Sequence, residues 1–330
     1  MFEIFKNDKS TLKKIIRNTA SKNNLEPPYI EKDLWVSAML YYLFNISKFK
    51  ELFTFTGGTC LSKCYHCIKR FSEDIDIGIN LSVVGSEEEI IKAQTISKRD
   101  KIIKKIKADT KTFLIKKFIP IMNNDLSSIF GNKWHIKITY ENDCVCLYYP
   151  VAFKDLYIDP RVKIEIGTLG TMKPNSNQLV NSIIAKTYKN KMMINDFNVK
   201  AISIERIFWD KVTILHQEAH RSADKILPER CARHYYDLYC LGHYKDVKEK
   251  AIKNHKLLKN VVDSKFYFYY RSWAKYEECL VKKIKLLPPK YNIEKLKKDY
   301  LKMSGMFLKQ PPKFEQILNY LTKLEKELNE

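Results

Sequence analysis

Between Glu51 and Ile79 the apolar period changes twice, and few arrangements of chain accommodate that order. Phe53 and Phe55 alternate with polar neighbours from Glu51 to Thr56, predicting a short strand that runs straight into Gly57-Gly58. Residues 60–70 suit a helix. Ile75, Ile77 and Ile79 then alternate with Asp74, Asp76 and Gly78, which predicts a second strand with both carboxylates on one face. Such a strand–turn–helix–strand unit calls for a sheet layered with helices.

The chemistry of this unit is that of an anion beside a cation site. A Gly-Gly-Thr turn (Gly57, Gly58, Thr59) at a strand end lets backbone approach a phosphate closely and aims N–H groups at it. Asp74 and Asp76, at i and i+2, can together reach Mg²⁺, which prefers oxygen ligands. Gly-Gly at a turn and Asp-x-Asp on a strand are each common; their succession is specific. It fits phosphoryl or nucleotidyl transfer, which needs a triphosphate held still and a divalent ion more than covalent help. A two-metal site generally takes a third carboxylate. In the strand predicted over Arg161–Gly167, Glu165 opposes the apolar face of Val162, Ile164 and Ile166. Glu165 is therefore the candidate, the alternative being an exposed strand residue paired with Lys163 or Arg161.

The rest of the chain supplies the setting. Helices are predicted over 10–24 and 28–45, a long basic helical stretch from the capping box at Ser86 to about Phe130, and a hairpin from Lys133 to Val151. Beyond about Met172 the strand signals fade, and helices are predicted over 199–220, 228–242, 245–260, 263–286, 292–304 and 313–329. This divides the chain into a mixed α/β domain, 1–172, and an α-helical domain, 173–330. Lys plus Arg (59) exceed Asp plus Glu (38), a formal charge of +21 that favours a polyanionic partner. The longest apolar run, Leu34–Phe44, is about half of the ~20 residues a membrane span needs, so no membrane association is expected. Eight cysteines without a secretory signal point to reduced thiols in the cytoplasm.

Three secondary patterns compete for attention. Cys60, Cys64 and Cys67 have the spacing of an iron–sulfur ligand set, or of one buried helix face at i, i+4 and i+7. His216 to His220 departs from the zinc-protease pattern and reads as ordinary helix. The aromatic run Phe266–Trp273 could stack on bases or pack a core, and Lys-rich segments at 98–117 and 282–302 could follow an RNA backbone or be solvated faces.

The run Phe55-Thr56-Gly57-Gly58-Thr59-Cys60-Leu61-Ser62-Lys63, continued by Lys69-Arg70-Phe71-Ser72-Glu73-Asp74-Ile75-Asp76, resembles the first motif of the AbiEii/AbiGii-type nucleotidyltransferase toxins. That family is a branch of the DNA polymerase β-like superfamily. Ile30 to Trp35 resembles its N-terminal helix, Ile204 to Lys211 a Lys motif, and Arg233 to Leu238 an Asp motif. Asp299-Tyr300, Met303, Phe307 and Pro312-Lys313-Phe314 resemble its C-terminal tail. The resemblance implies an α+β fold: a polymerase-β-like core of mixed sheet flanked by helices, plus an α-helical C-terminal domain. It implies NMP transfer from an NTP to an acceptor hydroxyl, in RNA such as the tRNA 3′ end, by the toxin of a toxin–antitoxin or phage-defence system. Mg²⁺ (or Mn²⁺) would be the cofactor and an antitoxin the cognate partner. By matching position, Asp74 and Asp76 would hold metal, and Lys63 and Lys211 would join the turn in nucleotide binding. Asp237 would assist catalysis. Read from their surroundings alone, Lys211 is a surface helix residue and Asp237 a helix ion pair with Arg233. Protein nucleotidylation, and a non-catalytic RNA- or partner-binding role with a degenerate site, remain alternatives.

Overall fold

The alternation at Phe53–Thr56 and Ile75–Ile79 does produce neighbouring antiparallel strands, with Thr56 opposite Asp76. The computed structural model describes residues 1–155, 158–167, 170, 172–189 and 195–330. Two compact units emerge. The first gathers Met1–Cys64, Phe71–Thr168 and Asn175–Ala201; the second gathers Tyr65–Arg70, Leu169–Pro174 and Ile202–Glu330.

The first unit contains α1 (Lys9–Asn23), α2 (Pro27–Tyr41), β1 (Phe53–Thr56), α3 (Gly57–Lys63) and β2 (Ile75–Ile79). It continues through α4 (Glu87–Ile91), α5 (Ile96–Phe113), α6 (Ile119–Phe130), β3 (Lys137–Glu141), β4 (Cys144–Tyr148), β5 (Arg161–Gly167), β6 (Asn175–Val180), α7 (Ile183–Thr187) and β7 (Phe197–Ile202). The seven strands form one sheet in the order β3-β4-β5-β2-β1-β7-β6. It is mixed: β2 pairs parallel with β5 and β1 parallel with β7, while the β3-β4-β5 ladder is antiparallel. β6 and β7 lie where helix alone was expected. The polar, exposed β6 carries little strand signal, whereas Phe197, Val199 and Ala201 alternate inward along β7 until Ser203 caps the next helix.

One face of the sheet is apolar, and Ile75, Ile77, Val162 and Ile164 are fully buried there. α2 is buried nearly all round, which explains its unbroken run of core residues. Trp35 at its middle stacks on Tyr149 with centroids 5.0 Å apart and packs on Phe5 at 4.7 Å. Each such buried aromatic contributes on the order of 2–3 kcal/mol.

The charged residues of α2 are buried too, and each is answered. The Glu31 carboxylate accepts N–H bonds from Ala152 (2.8 Å) and Phe153 (3.0 Å). Lys32 donates to the carbonyls of Asp159 and Arg161 and sits 3.3 Å from the Glu73 carboxylate. Asp33 accepts from the Ile183 N–H at 2.7 Å and pairs with Lys63. This segment therefore fastens α2 to the approach to β5, to the start of α7 and to α3. Unpaired, any of these buried charges would cost several kcal/mol.

The second unit is helical: α8 (Ile204–Ala219), α9 (Ala232–His243), α10 (Lys245–Lys253), α11 (His255–Phe268), α12 (Lys290–Lys302) and α13 (Phe314–Asn329). The helix expected over 263–286 gives way after Phe268 to short 3-10 turns at Ser272–Ala274 and Tyr276–Val281. Asp299 has a structural task, since its carboxylate accepts the N–H groups of Arg230 (3.0 Å) and Ala232 (2.8 Å) at the start of α9. Among the described residues no helix is long and apolar enough to cross a membrane.

Candidate active site

In the first unit, β1 delivers the chain to Gly57, whose φ of +79° suits glycine and few other residues. A Cβ at Gly57 would lie 1.7 Å from Asp76 Oδ2. The glycine thus exists to let the turn approach the Asp76 carboxylate. The helix expected over 60–70 starts at Gly57 itself and ends at Lys63. Its first N–H groups, without helical partners, belong to the turn. The Thr59 side chain is fully buried; its hydroxyl donates to the Asp74 carbonyl and lies 3.0 Å from the Ser72 hydroxyl. Any contact of Thr59 with a phosphate is left to its backbone. Lys63, expected at the nucleotide, has its ammonium engaged by Asp33, by the Ser37 hydroxyl at 2.8 Å and by the Asn181 carbonyl at 3.3 Å. It ties α3 to α2.

Asp74 and Asp76 are half-buried at the start of β2. The register sets Asp76 directly opposite Glu165 on β5, so both side chains leave the same face of the sheet. Extending the β4–β5 register places Cys144 beside Glu165, and burial, aided by the Glu165 carboxylate, pushes its thiol up to about 12. Arg161 and Lys163, the alternative partners of Glu165, are committed elsewhere. Lys163 pairs with Asp159 at 2.8 Å, and Arg161 with Asp159 at 3.1 Å and Glu141 at 3.0 Å.

The carboxylates of Asp74, Asp76 and Glu165, on a polar strand face against a turn with no room for Cβ, form a hard-oxygen donor set, which is what Mg²⁺ or Mn²⁺ takes. The residues therefore fit a divalent ion. Among the described residues, the three-residue set with ligand atoms all within 4.8 Å of one another is a different one, His216, His220 and Glu278. There His220 Nε2 lies 3.3 Å from Glu278, but His216 is committed to backbone. Its Nδ1 accepts from the Lys285 N–H and its Nε2 faces the Lys275 carbonyl, each at 3.0 Å. A ring so bonded has no lone pair to offer a metal. Burial lowers its pKa to about 4, and it is a satisfied core histidine.

In the second unit, Asp237 on α9 is fully buried between two cations. Arg70 grips it through Nε to Oδ1 (2.8 Å) and Nη2 to Oδ2 (2.9 Å), and Lys211 of α8 reaches Oδ2 at 2.7 Å. Burial alone would raise the Asp237 carboxyl, but Arg70 and Lys211 outweigh it and hold it well below the usual range. Lys211 is itself buried, not on the surface, and burial lowers its pKa against the pull of Asp237. Its Nζ also lies 3.1 Å from His234 Nδ1. The Arg233–Asp237 pairing suggested by i,i+4 spacing is thus replaced by a long-range one through Arg70. Sequence reasoning gave no role to Arg70 or His234, although both stand within the quoted motifs.

The three cysteines are not one helix face. Cys60 lies within α3, Cys64 at its C-cap, and Cys67 beyond its end, where burial pushes its thiol up to about 12.

The profile of the AbiEii nucleotidyl transferase toxins of type IV toxin–antitoxin systems matches residues 38–320, and the chain belongs to that family. No curated protein matches it in sequence. Among solved structures it is similar to MenT4, a nucleotidyltransferase toxin from Mycobacterium tuberculosis H37Rv. The match has 14% identity and a TM-score of 0.42, covering 95% of this chain and 96% of that one. Membership makes the chain a nucleotidyltransferase of toxin type, in a family that works on NTPs with a divalent metal and alongside an antitoxin.

Proposed function

We propose that this enzyme transfers an NMP from a Mg²⁺-bound NTP to a hydroxyl of RNA, with the 3′ end of tRNA as acceptor, in the cytoplasm. The observation that carries the reading is the row of Asp76 and Glu165, with Asp74 beside it, against the Gly57 turn. Asp74, Asp76 and Glu165 would hold the metal, which when bound neutralises charge on the attacked and leaving phosphates. Backbone N–H groups of Gly57, Gly58 and Thr59 orient the phosphates, and Lys211 supplies a fixed positive charge to the triphosphate. Asp237 holds Lys211 in place and favours its charged form, and Arg70 fixes Asp237. The acceptor oxygen bonds to the α-phosphorus, the bond to the bridging oxygen breaks, and pyrophosphate leaves. The formal charge of +21 supports a polyanionic acceptor.

The test is incubation of the pure protein with each α-³²P-NTP, Mg²⁺, and either total RNA or total protein. Label is expected in a tRNA-sized RNA band with one preferred NTP. Label confined to protein would move the acceptor to a polypeptide and sink the RNA reading.

A further inference from the structure

We propose that His234 is a second phosphate ligand, donating its Nε2–H beside the Lys211 ammonium to an oxygen of the leaving pyrophosphate moiety. This rests on the reading of Lys211 as a triphosphate residue and extends it.

His234 and Asp237 stand one turn apart on α9, so both reach Lys211 of α8. A charged ammonium has three donors and no lone pair, so the 3.1 Å contact requires Lys211 to donate and His234 Nδ1 to accept. The ring proton is then on Nε2. Lys211 spends one N–H on Asp237 at 2.7 Å and one on His234. Its third N–H, and the Nε2–H of His234, have no protein acceptor among the described residues.

The charge around these two donors is unbalanced. Arg70 and Lys211 are both cationic and share one carboxylate, Asp237. Burial, and the adjacent Lys211, lower the His234 pKa well below 6.5, so the ring adds a donor and no further charge at neutral pH. Two adjacent unspent donors, beside two cations that share one carboxylate, are matched by an oxyanion with at least two oxygens, such as a phosphate.

Two substitutions separate the roles of the ring nitrogens. H234Q places an amide N–H near the position of Nε2 and lacks an acceptor at Nδ1. H234N does the reverse, keeping an acceptor for Lys211. Binding of inorganic pyrophosphate to the full chain, measured by calorimetry, should weaken about tenfold in H234N, near the lower end for a hydrogen bond to a charged group. In H234Q it should stay within about threefold of the unsubstituted protein. Unchanged binding in H234N, or an equal loss in H234Q, would overturn the proposal and leave His234 as a holder of Lys211. In the unsubstituted protein with ¹⁵N-labelled histidine, the His234 Nε2–H resonance should move on adding pyrophosphate. A resonance that stays put also overturns it. Neither readout needs turnover, so His234-dependent pyrophosphate binding without NMP transfer would sink the proposed function alone.

Discussion

Replacing Asp237 with asparagine changes one atom in shape but removes the carboxylate charge that two buried cations share. The side chains of Arg70 and Lys211 are 3% and 7% exposed, and both point at Asp237, which is 0% exposed. In D237N they face each other across a neutral amide, with an NH₂ group near at least one of them. Breaking a buried ion pair by removing one partner costs about 3–5 kcal/mol. Domains are stable by only about 5–15 kcal/mol, so the helical unit should lose a large part of its margin. Urea unfolding followed by far-UV circular dichroism should show a midpoint lowered by about 1–2 M at a slope of ~2–3 kcal/mol/M. The pH dependence carries a sign. Because the folded carboxyl is held below its ordinary value, its contribution is complete above an unfolded pKa of about 3.9 and is lost as pH falls below that. The gap between D237N and the unsubstituted protein should therefore be constant from about pH 7 to 5 and shrink below about 4. A midpoint unchanged at pH 7, in a variant that has lost transfer, would show that Arg70 and Lys211 are hydrated and do not depend on Asp237.

The remaining expectations are briefer. G57A puts a methyl 1.7 Å from the Asp76 carboxylate at a φ of +79°, so NMP transfer should fall at least ~100-fold with a stability loss of about 1–3 kcal/mol. Transfer near the unsubstituted rate would show that the close approach of turn and carboxylate is dispensable. D74A and D76A should each lower transfer by about 1,000-fold or more. Residual transfer within tenfold, measured with α-³²P-NTP, would remove these residues from the site. His216 stays neutral in the fold with a pKa of about 4, while the unfolded chain protonates near about 6.5. Stability should fall as pH drops from about 6.5 towards 4, and H216Q should flatten that slope in thermal melts.

What was legible in the chain, and what was not, divides along the range of the interaction. Gly57, Asp74 and Asp76 could be read because turn, period and face are local properties, fixed within the stretch from Phe53 to Ile79 that holds β1 and β2. Glu165 could be proposed from its own strand, but its pairing opposite Asp76 depends on a parallel register that alternation cannot reveal. Lys63 and Thr59 look like phosphate residues by position, and only the fold shows that Asp33 and the Asp74 carbonyl claim their polar groups. Arg70, Lys211 and Asp237 are the sharpest case. Helical spacing suggests Arg233 as the partner of Asp237, yet the observed partner Arg70 is separated from it by 167 residues in sequence. Burial reverses the local preference: a surface i,i+4 pair is worth a few tenths of a kcal/mol, whereas a buried carboxylate must find cations wherever the fold supplies them. The buried charges of α2, held by partners as much as 150 residues away, follow the same rule. Charged residues inside an otherwise apolar helix are thus the sequence signal that was available, because each demands a distant partner even though the chain does not say which.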